Sequence, residues 1–220
     1  MQDYIILDYD GTLHDTMHIY KRAFLETYAW LVQEGLAKQQ EFADAQISCW
    51  LGYNSKAMWD RFMPELEDDF KFQASSRTGE SMVRQIAAGR AVLYPGAREA
   101  MCNLREQGLG LIFLSNCKEA YMEAHRACFG LDTYFDAFYC CETYCFIPKG
   151  EIIPEIMREH PGRYLAAGDR SSDYEAARQN QIPFIGCTYG FGTAEELICA
   201  DRLANDVSEL PICAENLLHS

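Results

Sequence analysis

Tyr4-Ile5-Ile6-Leu7-Asp8-Tyr9-Asp10-Gly11-Thr12-Leu13 is the stretch that decides the fold of this chain. The apolar run Ile5-Ile6-Leu7 leads directly into two carboxylates and a glycine, which reads as a buried strand ending at a tight turn. Alternate residues of an extended chain share a side, so Asp8 and Asp10 are expected on one side. Two like charges that close repel, and something must repay the cost. A divalent cation with oxygen ligands, as Mg²⁺ prefers, repays it. A carboxylate at the end of a buried strand is also placed to attack an electrophile. Read alone, Asp-Tyr-Asp-Gly is equally an acidic turn, because Asp and Gly are common turn residues; the remainder of the chain decides.

Downstream, residues 14–90 read as helical. Met17, Tyr20, Phe24, Tyr28 and Leu31 recur at amphipathic-helix spacing, with Gly35 as the stop. Further helices are expected near Gln39–Cys49, Ser55–Met63 and Asp69–Ala88, joined by short links as in a small bundle. From residue 91 strand and helix alternate. Strands are expected at Leu109–Leu114, Ala137–Cys140, Tyr164–Ala167, Pro183–Gly186 and Arg202–Ala204. Helices are expected at Ala97–Gln107, Lys118–Phe129, Glu151–Glu159, Ser172–Asn180 and Val207–Leu217. Repeated βα units imply a mostly parallel sheet covered on both faces. The strand at 4–7 belongs to that sheet, so 14–90 reads as an insertion after its first strand.

Composition narrows the function. The 220 residues carry a net charge of −14, which disfavours nucleic acid and anionic membranes as partners. An anion site must then be built locally, from a metal ion, a lysine and backbone N–H groups. No apolar run approaches the length needed to span a bilayer. The N-terminus carries Asp3, Asp8 and Asp10 where a signal peptide would carry Lys or Arg, so a cytoplasmic protein is expected. The ten cysteines include a cluster, Cys140, Cys141 and Cys145, but no Cys-x-x-Cys pair, and they are expected to be reduced thiols packed as small apolar residues. The five histidines, His14, His18, His125, His160 and His219, form no pattern, although His14 lies closest to the acidic pair.

In an open α/β sheet ligands bind at the carboxyl ends of the strands. Asp8 and Asp10 follow the first expected strand, Ser115 and Asn116 the second. Gly168 and Asp169 follow the one at 164–167, with Asp173 four residues on. Lys149 lies 20 residues before Asp169 and is the last of six lysines. These residues resemble the haloacid dehalogenase superfamily, and within it phosphatases similar to phosphoglycolate phosphatase. Asp8-Tyr9-Asp10-Gly11-Thr12-Leu13, Ser115-Asn116, Lys149 and Gly168-Asp169-Arg170-Ser171-Ser172-Asp173 match its four motifs in order. Tyr94-Pro95-Gly96-Ala97 and Tyr189-Gly190-Phe191-Gly192 also resemble segments of that branch. The family often has Pro after the motif-three lysine; here it is Gly150, which is expected to loosen the turn and keep the ammonium.

The resemblance implies an α/β fold: a three-layer, Rossmann-like parallel-sheet core of residues 1–13 and 91–220, with an inserted α-helical cap at 14–90. It implies that Asp8 attacks phosphorus to form an aspartyl-phosphate, and that Asp10 protonates the leaving oxygen and then deprotonates water. Mg²⁺ would be held by Asp8, the Asp10 backbone carbonyl and Asp169, with Asp173 binding a metal-ligated water or orienting the site. Ser115 and Lys149 would grip the phosphoryl oxygens, and Thr12 and the Asn116 backbone would add hydrogen bonds. The loop from Trp50 to Lys56 corresponds to the family's substrate-specificity loop, so Gly52 and Lys56 are implied substrate contacts. The bland readings stand beside these: Ser115-Asn116, Asp169 and Asp173 as helix caps, and Lys149 as a solvated lysine.

The expected activity is thus a Mg²⁺-dependent phosphatase acting on a small phosphorylated metabolite, as a monomer or homodimer. A phosphosugar mutase similar to β-phosphoglucomutase shares all four motifs and remains an alternative. So does a catalytically idle phosphate-binding module. A phosphonate hydrolase needs a cap lysine of low pKa, for which Lys56 is the candidate. Asp10 argues against a dehalogenase, because halide leaves without a proton.

Overall fold

Ile5, Ile6 and Leu7 do form a buried strand, β1 (Gln2–Leu7), and it lies inside a six-stranded sheet. This computed structural model describes residues 2–218, so His219 lies outside the described residues. After β1 come four helices, α1 (Met17–Gln33), α2 (Asp44–Ser48), α3 (Ser55–Phe62) and α4 (Asp68–Ala87). The chain then alternates through α5 (Ala97–Glu106), β2 (Leu109–Ser115), α6 (Glu119–Phe129), β3 (Ala137–Cys140) and α7 (Lys149–Glu159). It ends with β4 (Gly162–Gly168), α8 (Ser171–Gln179), β5 (Phe184–Cys187), α9 (Ala194–Leu197), β6 (Arg202–Ala204) and α10 (Leu210–Leu218).

The strand order is β3-β2-β1-β4-β5-β6 and every pairing is parallel. This is a Rossmann-like sheet, and its order reverses between β1 and β4, so the carboxyl ends of those two strands flank the natural ligand crevice. The pleat explains why the buried stretches of the central strands are apolar on both sides. Ile5 and Leu7 join Leu111, Phe113, Leu165 and Ala167 under α5, α6 and α10. Ile6 joins Ile112, Leu114 and Ala166 under α7 and α8. Alternate residues serve opposite faces, and both faces are covered.

Residues from α1 to α4 bury a third cluster of their own, around Phe24, Tyr28, Leu31, Met58 and Trp59. The way in and the way out of this segment run side by side: Asp15 N–H donates to the Val92 carbonyl at 2.9 Å and Tyr94 N–H to the Leu13 carbonyl at 2.9 Å. Helix α1 ends as its sequence suggests. Gly35 takes φ +74°, and the Leu36 N–H donates back to the Leu31 carbonyl at 2.9 Å, a Schellman closure.

Three local expectations are corrected. The helix expected over Gln39–Cys49 is only Asp44–Ser48. Residues 39–43 stay irregular while the Phe42 ring packs edge-on to Tyr28 at 4.7 Å and to Phe24 at 5.1 Å, and the Gln46 amide oxygen accepts from Ala43 N–H at 2.9 Å to start the helix. Lys149 and Gly150 are the first residues of α7, not a turn ahead of it. A Cβ at Gly150 would collide with the Gln179 side-chain amide and stand 3.3 Å from the Ala176 Cα, so the missing side chain lets α7 approach α8. Finally, α9 is absent from the expected helices, although Thr193 and Glu196 form the capping box that begins it. Among the described residues no helix is long and apolar enough to cross a membrane.

Candidate active site

The turn after β1 is tied by one carbonyl. Tyr9 C=O accepts from the N–H groups of Thr12 at 3.3 Å, Leu13 at 2.9 Å and His14 at 3.0 Å. Gly11 sits at φ +87°, and a Cβ there would collide with the Asp169 carboxylate. Glycine therefore permits both the left-handed turn and the approach of β1's exit loop to β4's. Asp8 and Asp10 line one cavity, of about 130 Å³.

Asp8, Asp169 and Asp173 each offer a carboxylate oxygen within 4.8 Å of the others, and all three are buried. Lys149 reaches in from the start of α7. Its Nζ donates to Asp8 Oδ1 at 2.6 Å and to Asp173 Oδ1 at 2.7 Å. The other Asp173 oxygen accepts from Arg170 N–H at 3.1 Å, so Asp173 also caps α8. Asp169 Oδ2 accepts from Phe191 N–H at 2.6 Å, while its Oδ1 is buried without a partner. Three buried acids thus face one ammonium. Burial, followed by the charge of Asp173, pushes the Asp8 carboxyl up to about 7 against the pull of Lys149. Burial, then Asp8 and Asp173, hold the Asp169 carboxyl well above the usual range. For Lys149 burial alone would lower the pKa, but Asp173 and Asp8 outweigh it and the ammonium is held above its ordinary value. The site is short of positive charge, and its donors are hard oxygens.

Asp10 has a different environment. Its Oδ1 accepts from Tyr121 OH at 2.6 Å and Thr16 Oγ1 at 2.7 Å, and lies 3.0 Å from His14 Nδ1. Burial would raise its carboxyl, but the contacts with His14 and Tyr121 more than offset this and hold it below the usual carboxylate range. Behind it lies a closed aromatic layer. His14 stacks on Tyr9, the Tyr9 hydroxyl lies 2.8 Å from His125 Nδ1, and His125 packs edge-on to His14 and Tyr121. Burial, then His14, push the His125 imidazole down to about 3, so it is neutral at physiological pH. Sequence reasoning missed Tyr121, Thr16 and His125. The one visible signal was the i, i+4 spacing of Tyr121 and His125 on a helix. A hydrogen bond to a charged group contributes about 1.5–3 kcal/mol, so Tyr121→Phe is expected to lower kcat by about 10- to 100-fold with little change in KM. Without that bond Asp10 holds its proton to higher pH. The kcat–pH profile checks this: the acidic limb should move upward, and an unmoved limb would contradict the role of Tyr121.

The cavity's far wall comes from α1, α3, α4 and the loop at 50–54. Gly52, at φ +90°, has its carbonyl bound by Asn116 Nδ2 at 3.0 Å, and Arg170 donates to the Leu51 carbonyl. A Cβ on Gly52 would stand 2.7 Å from Arg170 Cγ. Asn116 Oδ1 in turn accepts from Cys141 Sγ at 2.9 Å, which gives one member of the cysteine cluster a structural task; all ten thiols are free. Ser115, Asn116, Gly52 and Lys149 all line the cavity. Thr12 is fully buried with its hydroxyl unpartnered. Lys56 is not brought in. Its side chain is 83% exposed and its ammonium binds Asp60 at 2.6 Å. That bond raises its pKa, the opposite of what a Schiff-base lysine needs.

The chain is 27% identical over 193 residues to a phosphoglycolate phosphatase of Agrobacterium fabrum, covering 84% of this chain and 80% of that one. The structure of a predicted phosphatase from Clostridium acetobutylicum superposes with a TM-score of 0.83 over 100% of both chains at 21% identity. That of CbbY from Rhodobacter sphaeroides in complex with phosphate superposes at 0.77, over 96% of both chains, at 25% identity. Residues 5–187 match the family of haloacid dehalogenase-like hydrolases. A match of that extent, on a chain with this sheet order, makes this chain a member of the haloacid dehalogenase-like hydrolase family.

Proposed function

We propose that this protein is a Mg²⁺-dependent phosphatase that hydrolyses a small phosphomonoester through an aspartyl-phosphate on Asp8. The observation that carries the reading is the meeting of Asp8, Asp169 and Asp173 around Lys149 at the ends of β1 and β4, with Asp10 on the same cavity. Mg²⁺ suits the donor set. Asp8 and Asp169 would hold it together with the Asp10 backbone carbonyl, with Asp173 behind them, and the buried unpartnered Asp169 Oδ1 would gain a partner. When bound, the ion supplies positive charge to the phosphoryl oxygens.

The chain's own residues then do the chemistry. A carboxylate oxygen of Asp8 attacks phosphorus, and the bond from phosphorus to the alcohol oxygen breaks. Asp10 gives that oxygen its proton. A phosphoryl dianion beside Asp10 favours its protonated form. Once the charge is spread and the alcohol has left, Tyr121, Thr16 and His14 favour the carboxylate. Asp10 can now take a proton from water, whose oxygen attacks phosphorus and frees Asp8 and inorganic phosphate. Ser115 and Lys149, which line the cavity, are the groups available to grip the phosphoryl oxygens; Thr12 lies fully buried. On this reading residues 14–90 act as a cap over a core of 1–13 and 91–220, and the protein works in the cytoplasm on a small metabolite.

The test is phosphate release from a panel of phosphorylated metabolites, with Mg²⁺ and with chelator. Release should require the metal. Mg²⁺ at about 100 times its Kd stabilises the fold by about 2.7 kcal/mol, a rise in Tm of about 5–10 °C for a chain of this size. Release that persists in chelator, with an unmoved Tm, would contradict the reading.

A further inference from the structure

The wall facing Asp8 shows what kind of alcohol the site accepts. Resting on the phosphatase reading, we propose that the substrate is the phosphate monoester of a small, neutral, largely apolar or aromatic alcohol. A substrate with a second anionic group, a carboxylate or another phosphate, does not fit.

Three observations carry this. First, the lining contributed by α1, α3, α4 and the 50–54 loop is dominated by Tyr20, Trp50, Tyr53, Met58, Trp59 and Met82. None of the nine Lys and Arg residues between 14 and 90 lines it. Several are paired elsewhere, as with Lys21 on Asp44, Arg22 on Glu26 and Lys71 on Asp60. A second anion held against these aromatic rings and thioethers would lose its hydration with no cation on this wall to compensate.

Second, the cations that do approach come from the sheet side. Lys149 is committed to Asp8 and Asp173. Arg170, in an adjoining cavity of about 250 Å³, is committed to Glu196 and the Leu51 carbonyl. Lys118, at the start of α6, is the other side-chain cation of the lining. It must be weighed against the acids Asp8, Asp10 and Asp173 on the same surface.

Third, the indole N–H groups of Trp50 and Trp59 are buried without partners. A buried unpaired donor is costly, and an acceptor oxygen on the alcohol would relieve it. The size agrees with a small alcohol: the cavity of about 130 Å³ is lined by the phosphoryl-binding groups Asp8, Ser115 and Lys149 as well as by this wall.

The experiment compares kcat/KM, in Mg²⁺, for 2-phenylethyl phosphate, glycerol 3-phosphate, 2-phosphoglycolate and a sugar bisphosphate. All are esters of alkyl alcohols, so differences report the cavity more than leaving-group reactivity. The phenylethyl ester should exceed phosphoglycolate and the bisphosphate by about tenfold or more. Met58→Lys, which adds a cation to the wall, should narrow or invert that ratio. Trp50→Ala, at a half-buried loop position, should lower the phenylethyl value more than the methyl phosphate value. Faster hydrolysis of phosphoglycolate or the bisphosphate overturns the inference and leaves the phosphatase standing. So does a tenfold or greater loss in Lys118→Met (about 1.4 kcal/mol) on phosphoglycolate or the bisphosphate with the phenylethyl value unchanged, because it would mean that a second anion is being bound. No release from any ester, methyl phosphate included, overturns both.

Discussion

Asp8→Asn is expected to lower kcat by at least about 10³-fold, a barrier increase of about 4 kcal/mol, while the protein stays folded. An amide is nearly the shape of a carboxylate but cannot form the acyl phosphate by nucleophilic attack. Stability should move the other way. In the metal-free chain the Asp8 carboxyl is pushed up to about 7, from an ordinary value of 3.8, by burial foremost. A group with a raised folded pKa contributes stability that is fully present below its unfolded pKa and lost as pH rises through the folded one. The metal-free wild type should therefore lose stability between about pH 4 and pH 7 through this group, and the Asp8→Asn variant, with no charge to gain there, escapes that loss. Thermal melts in chelator at pH 5 and pH 8 check the sign: the variant should gain on the wild type at the higher pH. Equal melting curves would mean that the acid cluster is not held as described, and full activity would mean that another group attacks phosphorus.

Lys149→Met has the second large effect. The ammonium sits between Asp8 and Asp173 with 5% of its side chain exposed. Its removal leaves two buried carboxylates facing each other beside Asp169. Breaking a buried pair costs about 3–5 kcal/mol, so Tm should fall by about 10 °C in metal-free protein. The loss should be larger at pH 8 than at pH 5, because protonation relieves the repulsion, and Mg²⁺ should recover part of it. Activity should fall by about 10²- to 10³-fold, the scale of losing one oxyanion-stabilising group. A melt unchanged by the substitution would show that Lys149 is solvated and that its contacts with Asp8 and Asp173 carry no energy.

Much of this arrangement was legible in the chain. The apolar run at Ile5–Leu7 and the strands after residue 108 were legible as short apolar runs bounded by turn residues, set between segments of helical spacing. Asp8 and Asp169 were legible because a carboxylate directly after such a run needs a reason to be there. Lys149 was not legible from its neighbours; only the ordered motifs singled it out. The Asp10 pocket was illegible for a geometric reason, since Tyr121 is 111 residues from Asp10 in sequence and nothing local marks its hydroxyl as a partner. Lys56 misled because spacing places a residue on a loop but not on its inner face; Asp60, one helical turn on, draws the ammonium outward. Gly150 misled likewise, its role being the close approach of α7 to α8 rather than the shape of a turn.

In the proposed reaction Asp8 carries the phosphoryl group. This is tested most directly with Asp10→Asn and acetyl phosphate, whose leaving group needs no proton. The first step then proceeds while the second, which needs Asp10 as base, stalls. Acid quenching and peptide mapping should find one phosphoryl group on the peptide containing Asp8, absent in chelator and absent in the Asp8→Asn, Asp10→Asn double variant. A phosphoryl group on any other residue, or phosphate release in the double variant at the rate of Asp10→Asn alone, would contradict the account.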